Sequence, residues 1–196
     1  NFASGDLKIT VELIGNENYE SSNATVIFKI KKYETNLTIN ASDINAGESE
    51  TITVTLTPEG EVAGEANLTI NNKTETIYLK NGNNTVTLEN LTGGSYNITI
   101  FFAGDKKYAN STVTTTISVK KHDTTMDVTV EEDKITVKVN PSNATGTVNL
   151  YINNQLQQLN LTNGTATFAP NYNRFNNSIF VYYEGDGYFN YTTFNT

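Results

Sequence analysis

A segment that the chain writes three times limits what it can fold into. Ile98-Thr-Ile-Phe-Phe-Ala-Gly-Asp-Lys-Lys-Tyr108 has counterparts at Ile9-Thr-Val-Glu-Leu-Ile-Gly-Asn-Glu-Asn-Tyr19 and Ile179-Phe-Val-Tyr-Tyr-Glu-Gly-Asp-Gly-Tyr188. Each is an alternating run that ends on Gly, then Asp or Asn, with a Tyr close behind. Alternation puts Ile98, Ile100 and Phe102 on one face of a strand, because successive strand side chains point to opposite sides. Gly then tolerates a positive φ, and the acid or amide bonds its own backbone, so the strand ends in a turn. The expected signature is Gly15 and Tyr19 in the first copy, Gly104, Asp105 and Tyr108 in the second, and Gly185, Asp186 and Tyr188 in the third. The third copy reads as one residue short before its Tyr.

The spacing fixes the organisation. Gly15 and Gly104, Tyr19 and Tyr108, and Lys31-Lys32 and Lys120-Lys121 all stand 89 apart, whereas Gly185 follows Gly104 by 81. A period that continues across a junction describes tandem domains. Residues 33–121 hold one complete unit and residues 122–196 a shorter one. Residues 1–32 hold only a hairpin, Leu7 to Leu13 and Ala24 to Ile30, equivalent to the last two strands of a truncated preceding repeat. Two strands alone are marginal in water, so the hairpin is expected to fray or to be held by a neighbouring chain or by the next domain.

Within 33–121, Leu37 and Ile39 open the unit and Asn40 to Glu50 reads as a polar loop. Ile52, Val54 and Leu56 alternate as a strand that Pro58 and Gly60 end. Asn71-Asn72 and Asn81-Gly82 predict tight hairpins, which Asn153-Asn154 and Asn163-Gly164 repeat in the shorter unit. About seven short strands per unit, with turn signals every ten residues or so, predict an all-β chain of tandem two-sheet sandwiches. Lys120-Lys121-His122-Asp123 joins the units without a flexible run, so the domains are expected to be held end to end.

Composition removes several classes of function. With no Cys there is no disulfide framework, thiol nucleophile or Cys-ligated metal. A net charge of −8 from 13 basic and 21 acidic residues, without a basic cluster, argues against nucleic acid as a partner. No run approaches the roughly 18 apolar residues of a membrane helix, and no signal peptide opens the sequence, which reads as a window from a longer protein.

These residues together resemble the bacterial and archaeal Ig-like repeat of the group 3 type. The resemblance is carried by Thr35-Asn-Leu-Thr-Ile39, the run from Thr147 to Asn154, Asn163-Gly-Thr-Ala-Thr-Phe168 and the Gly104 to Tyr108 turn. It implies Ig-like β-sandwiches of the kind strung in extracellular, cell-surface adhesin-like proteins, including the Asn- and Thr-rich ones of methanogenic archaea. The implied role is a structural stalk whose partners are neighbouring repeats of the same chain. The alternatives are an adhesion module for a glycan or protein of a host or partner cell, and a filament subunit that self-assembles through the N-terminal hairpin.

Candidate chemistry is sparse. The single His, His122, corresponds to Tyr33 in the preceding copy and reads as a spacer rather than a general base, which needs a partner in reach. Neither a catalytic residue nor a cofactor is expected. Asp105 and Asp186 are the candidate calcium ligands, weighed against a plain turn role, since a hard cation takes several oxygens. Asn16, in place of Asp, counts against a shared ligand role. Tyr19, Tyr108 and Tyr188 read as buried plugs rather than a sugar-stacking platform. Asn-x-Ser/Thr sequons are dense, and Asn72, Asn97, Asn110 and Asn143 are the candidate N-glycosylation sites. A Lys–Asn isopeptide bond beside a buried acid is a further candidate that spacing cannot locate.

Overall fold

The computed structural model describes residues 3–58, 62–80, 82–170 and 177–195, and among them every regular element is a strand. The first repeat and the hairpin before it supply β1 (Gly5–Leu13), β2 (Ser22–Ile30), β3 (Asn36–Asn40), β4 (Ile44–Asn45), β5 (Glu50–Thr57), β6 (Gly64–Ile70), β7 (Lys73–Leu79), β8 (Asn83–Leu88), β9 (Gly94–Phe102) and β10 (Ser111–Lys120). The second repeat supplies β11 (Thr125–Val130), β12 (Ile135–Asn140), β13 (Thr147–Ile152), β14 (Gln155–Asn160), β15 (Thr165–Phe168), β16 (Ile179–Tyr183) and β17 (Thr192–Asn195). The sheet orders are β1-β2, β3-β5-β8, β4-β10-β9-β6-β7, β11-β12-β15 and β14-β13-β16-β17. The chain is all-β, with the pairs of sheets of tandem Ig-like sandwiches.

By contacts the chain divides into two units. One comprises residues 1–40, 52–86 and 97–115, and the other residues 41–51, 87–96 and 116–196. In the first unit the alternation of Ile52, Val54 and Leu56 puts all three out of solvent, together with Leu37, Ala66, Leu68, Leu79, Ile98, Ile100 and Phe102. In the second, Ile135, Val137 and Val139 of β12 face Val148, Leu150 and Ile152 of β13 and Ile179, Val181 and Tyr183 of β16 in one cluster. Met126, Val128, Leu159, Leu161, Phe168 and Phe194 pack against it. Burial of such side chains is worth about 1.5–3 kcal/mol each, and it is what holds the strands in register.

The turn residues behave as their chemistry dictates. Asn71 and Asn72 take φ of 42° and 70°, Asn153 and Asn154 49° and 66°, and Asn163 and Gly164 50° and 67°, the left-handed geometry of tight hairpins. Gly82 has φ 75°, while its predecessor Asn81 and the strand-ending Gly60 lie outside the described residues. The expected loop from Asn40 to Glu50 contains a strand: β4 pairs in parallel with β10, Ile44 opposite Val119 and Asn45 opposite Lys120. Ser118 N–H donates to Asp43 Oδ1 at 2.7 Å, and Ala46 N–H to the Lys120 carbonyl at 2.8 Å. Two residues are too few to show alternation, so this strap left no periodic trace.

The N-terminal hairpin is paired throughout, from Gly5 opposite Ile30 to Leu13 opposite Ser22. Leu7, Ile9, Val11 and Leu13 share a face with Ala24, Val26 and Phe28, and Val11 and Leu13 are 67% and 58% exposed. Ile98, Ile100, Phe102 and Ile117, which stand 89 residues later than Ile9, Val11, Leu13 and Phe28, are at most 2% exposed. The face that is covered in β9 and β10 is open in β1 and β2.

Candidate functional site: the joints between repeats

Each copy of the Gly-Asp segment folds into the same turn. Asp105 Oδ1 accepts N–H groups from Lys107 and Tyr108, both at 2.6 Å. Asp186 Oδ1 accepts those of Tyr188 and Phe189 at 2.7 and 2.8 Å, and Asn16 Oδ1 those of Asn18 and Tyr19 at 2.9 and 3.1 Å. An amide oxygen makes the same two bonds at greater length, so the geometry of the turn needs an acceptor and a carboxylate holds it more tightly. Glycine precedes it because a Cβ on Gly104 or Gly185 would lie 2.5 or 2.6 Å from the carbonyl oxygen of Tyr108 or Phe189. Gly15 is confined in the same way by the Tyr19 carbonyl.

The ring that plugs the turn is the third residue after the acceptor. In the second copy this is Tyr108, 3% exposed. In the third it is Phe189, 5% exposed, and not Tyr188, which is 37% exposed. The spacing of 81 that relates Gly104 to Gly185 also relates Tyr108 to Phe189, so no residue is missing before the ring. Tyr19 holds the plug position of the first copy but is 72% exposed, because no described strand covers that face of the hairpin.

These plugs form the joints. In the first joint Tyr33 N–H donates to the Lys107 carbonyl at 2.9 Å, and Ala109 N–H to the Tyr33 carbonyl at 2.8 Å. The rings of Tyr33 and Tyr108 meet at 6.1 Å, Thr35 Oγ1 donates to the Ala109 carbonyl at 3.0 Å, and Ser4 N–H donates to the Lys106 carbonyl at 3.2 Å. In the second joint His122 N–H donates to the Tyr188 carbonyl at 2.8 Å, and Asn190 N–H to the His122 carbonyl at 2.9 Å. His122 and Phe189 meet at 5.7 Å, Thr124 Oγ1 donates to the Asn190 carbonyl at 3.0 Å, and Gly93 N–H to the Gly187 carbonyl at 2.7 Å. Five contacts therefore recur at equivalent positions. Each joint lies inside one of the two contact units.

Local chemistry differs between the joints. At the first, Lys107 Nζ sits 4.9 Å from the centroid of Tyr108 and 5.6 Å from that of Tyr33, a cation–π arrangement. At the second, Lys121 donates to the Asp186 carbonyl, its stem crossing Gly93 where any Cβ would collide with it. His122 Nε2 lies 3.0 Å from the Ala46 carbonyl. A carbonyl only accepts, so that nitrogen carries the hydrogen.

Around His122 a cleft of about 530 Å³ is lined by residues that include Glu48, Asn143, Thr145, Asp186 and Tyr188. Its acids are already engaged. Asp186 Oδ2 accepts Thr145 N–H at 3.1 Å and Thr145 Oγ1–H at 2.7 Å, in addition to the two bonds on Oδ1. Burial pushes the Asp186 carboxyl up, but the bonds from Thr145, Tyr188 and Phe189 outweigh it and hold the group below the usual carboxylate range. Glu48 is held low by the Asn45 N–H and side-chain amide. Burial and the Asp186 charge push the Tyr183 hydroxyl up to about 12, and it donates to the Thr145 carbonyl at 2.8 Å. Among the described residues no group of three or more His, Asp or Glu side chains could hold a metal ion. The candidate glycan acceptors Asn72, Asn97, Asn110 and Asn143 are all exposed.

The complete repeat can now be compared with known proteins. Residues 37–120 match the bacterial Ig-like domain family, group 3. The matched segment lies within residues 33–121 and ends at the Lys120 that leads into the second joint. Similar solved structures include the fibronectin(III)-like modules of Clostridium thermocellum CbhA, at 14% identity over 81% of this chain and 90% of that one, TM-score 0.36. A 1.5-MDa bacterial ice-binding adhesin is similar at 13% identity over 97% and 72%, TM-score 0.36. The I9–I11 tandem of titin is similar at 8% identity over 98% and 73%, TM-score 0.34. No curated protein matches the chain.

Proposed function

We propose that the chain is a non-enzymatic stalk segment of an extracellular, adhesin-like surface protein, with Ig-like domains at 33–121 and 122–196 preceded by the closing hairpin of another repeat. The observation that carries this reading is the duplicated joint. A chain that repeats its inter-repeat contacts as faithfully as its cores is organised around linking one repeat to the next. The principal partners are then neighbouring repeats of the same chain. The four donors on Asp186 give its carboxylate a structural task without calcium. If the chain is exported, Asn72, Asn97, Asn110 and Asn143 offer exposed sites for glycan attachment.

Mechanical unfolding of the chain, stretched from its ends, tests the reading. At 3.3–3.6 Å per extended residue, two cooperative events releasing roughly 25 to 30 nm each are expected. Gradual extension at low force would sink the stalk reading, and increments that do not match the two repeats would sink the boundaries. The open apolar face of β1 and β2 favours one second reading, self-assembly through the hairpin, which concentration-dependent sedimentation would reveal.

A further inference from the structure

The outer face of the sheet β14-β13-β16-β17 carries side chains that the fold does not need. Successive residues of a strand face opposite sides, so with Val148, Leu150, Val181 and Tyr183 in the core, Tyr151, Phe180 and Tyr182 stand on the outside. Tyr151 lies opposite Leu156 on one side and Phe180 on the other. The rings of Tyr151 and Phe180 meet at 5.9 Å, and those of Tyr182 and Tyr191 at 6.2 Å. Leu156, Phe180 and Tyr191 are 46%, 39% and 67% exposed.

The first repeat supplies an internal control. Its equivalent cross-strand row is Thr74, Thr69 and Thr99, in the same pairing. Thr69 and Thr74 share a hydrogen bond of 2.8 Å, and Thr99 bonds Thr114 at 3.0 Å. Threonines therefore suffice at this row, while the same face of the first repeat carries its exposed rings elsewhere, at Phe101 and Tyr78. Replacing the threonines with Leu156, Tyr151 and Phe180 leaves apolar surface in water, a disadvantage unless something covers it.

The chemistry beside the rings selects the occupant. Asn149, 6% exposed, donates to Glu184 at 2.8 Å and accepts from Gln158 at 3.2 Å, which places neutral amides against the ring row. Thr193 and Asn195 lie opposite Tyr182 and Phe180 at the other edge. Glu184, two residues beyond Tyr182 on the same face, has its charge tied to Asn149. On a chain of net charge −8, a face of rings, amides and hydroxyls suits an uncharged ligand that is apolar on one side and hydroxylated around its rim. A pyranose ring has that form: its axial C–H groups meet the electron-rich face of an aromatic ring, and its hydroxyls meet the amides. A row of Leu156, Tyr151 and Phe180 that runs across three strands matches an extended run of sugars rather than a single one.

We propose that this face of the second repeat, built on Tyr151, Phe180, Tyr182 and Tyr191, binds a neutral polysaccharide chain. It adds a ligand site to the stalk and is separate from the joints. The chain has no Trp to mask tyrosine emission, and three of its 11 Tyr, Tyr151, Tyr182 and Tyr191, stand on this face, so tyrosine fluorescence responds to its occupation. The test is titration of the full chain with β-linked hexaoses of glucose, mannose, xylose and N-acetylglucosamine. Saturable binding to at least one of them is expected. Tyr151→Thr with Phe180→Thr, the residues of the first repeat, should weaken it at least tenfold at unchanged melting temperature, and Tyr191→Ala alone should weaken it severalfold. Flat titrations with every hexaose, or binding that survives the double substitution in a folded protein, would overturn the proposal. Concentration-dependent self-association abolished by the same substitutions, without hexaose binding, would instead make the face a protein interface and overturn it equally.

Discussion

Asp186 sets the third copy of the turn, and the ring three residues beyond it is the one the fold buries. Phe189→Ala should therefore cost about 3–5 kcal/mol in denaturant unfolding, the usual loss for a buried aromatic. Tyr188→Ala, on a half-open ring, should cost under about 1 kcal/mol. Equal effects would mean that the plug is assigned to the wrong residue. The sequence suggests Tyr188 because Tyr recurs in the other two copies; counting from the acceptor, whose backbone bonds fix the turn, leads to Phe189. Asp186 also makes a pH prediction. Folding lowers its pKa below the unfolded value of about 3.9, so its contribution to stability is in place above that pH and is lost as pH falls through the folded pKa. The stability gap between the parent and Asp186→Asn should be widest near neutrality and narrow toward about pH 3. A gap that is constant with pH would assign the loss to geometry rather than charge.

Hairpins and alternating strands could be read from the residues because their determinants are local. Asn71-Asn72, Asn153-Asn154 and Asn163-Gly164 carry the left-handed turn, and Ile135, Val137 and Val139 carry the period of two. The strap β4 could not, since its place is set by Val119 and Lys120, about 75 residues further on. The joints fall between these cases. Their repeat spacing is written in the sequence, but the pairing of His122 with Phe189 exists only once the strands have met. Gly164 shows how demanding the local determinants are. With φ of 67° and a Cβ position 2.7 Å from the Val139 carbonyl oxygen, Gly164→Ala should destabilise by more than about 1 kcal/mol. Asn163→Gly beside it, where φ is also positive, should change stability by less than about 1 kcal/mol. Thermal unfolding of the two variants checks the contrast, and a neutral Gly164→Ala would show that this turn relaxes freely.

The hairpin connects the parts of the molecule to the longer array that the stalk reading requires. Its strands are fully paired, yet Ile9, Val11, Leu13 and Phe28 stand open where their equivalents in sequence, Ile98, Ile100, Phe102 and Ile117, are buried. Paired strands without a covered face hold little free energy against opening, since most of a sandwich's stability comes from apolar burial between sheets. Amide hydrogen exchange on the dilute chain should therefore find Thr10, Val26 and Phe28 exchanging orders of magnitude faster than Ile100 and Ile117, with joint amides such as Tyr33 and Ala109 between them. Raising the protein concentration should slow the hairpin amides selectively if the open face recruits a second chain, and leave them unchanged if it does not. Val11→Lys, on the open face, should abolish any such slowing without affecting the amides of residues 33–196. Strong protection of the hairpin in the dilute chain would mean that strand pairing and the contact between Ser4 and Lys106 are enough to stabilise it, and that the exposed face is not a site waiting to be covered.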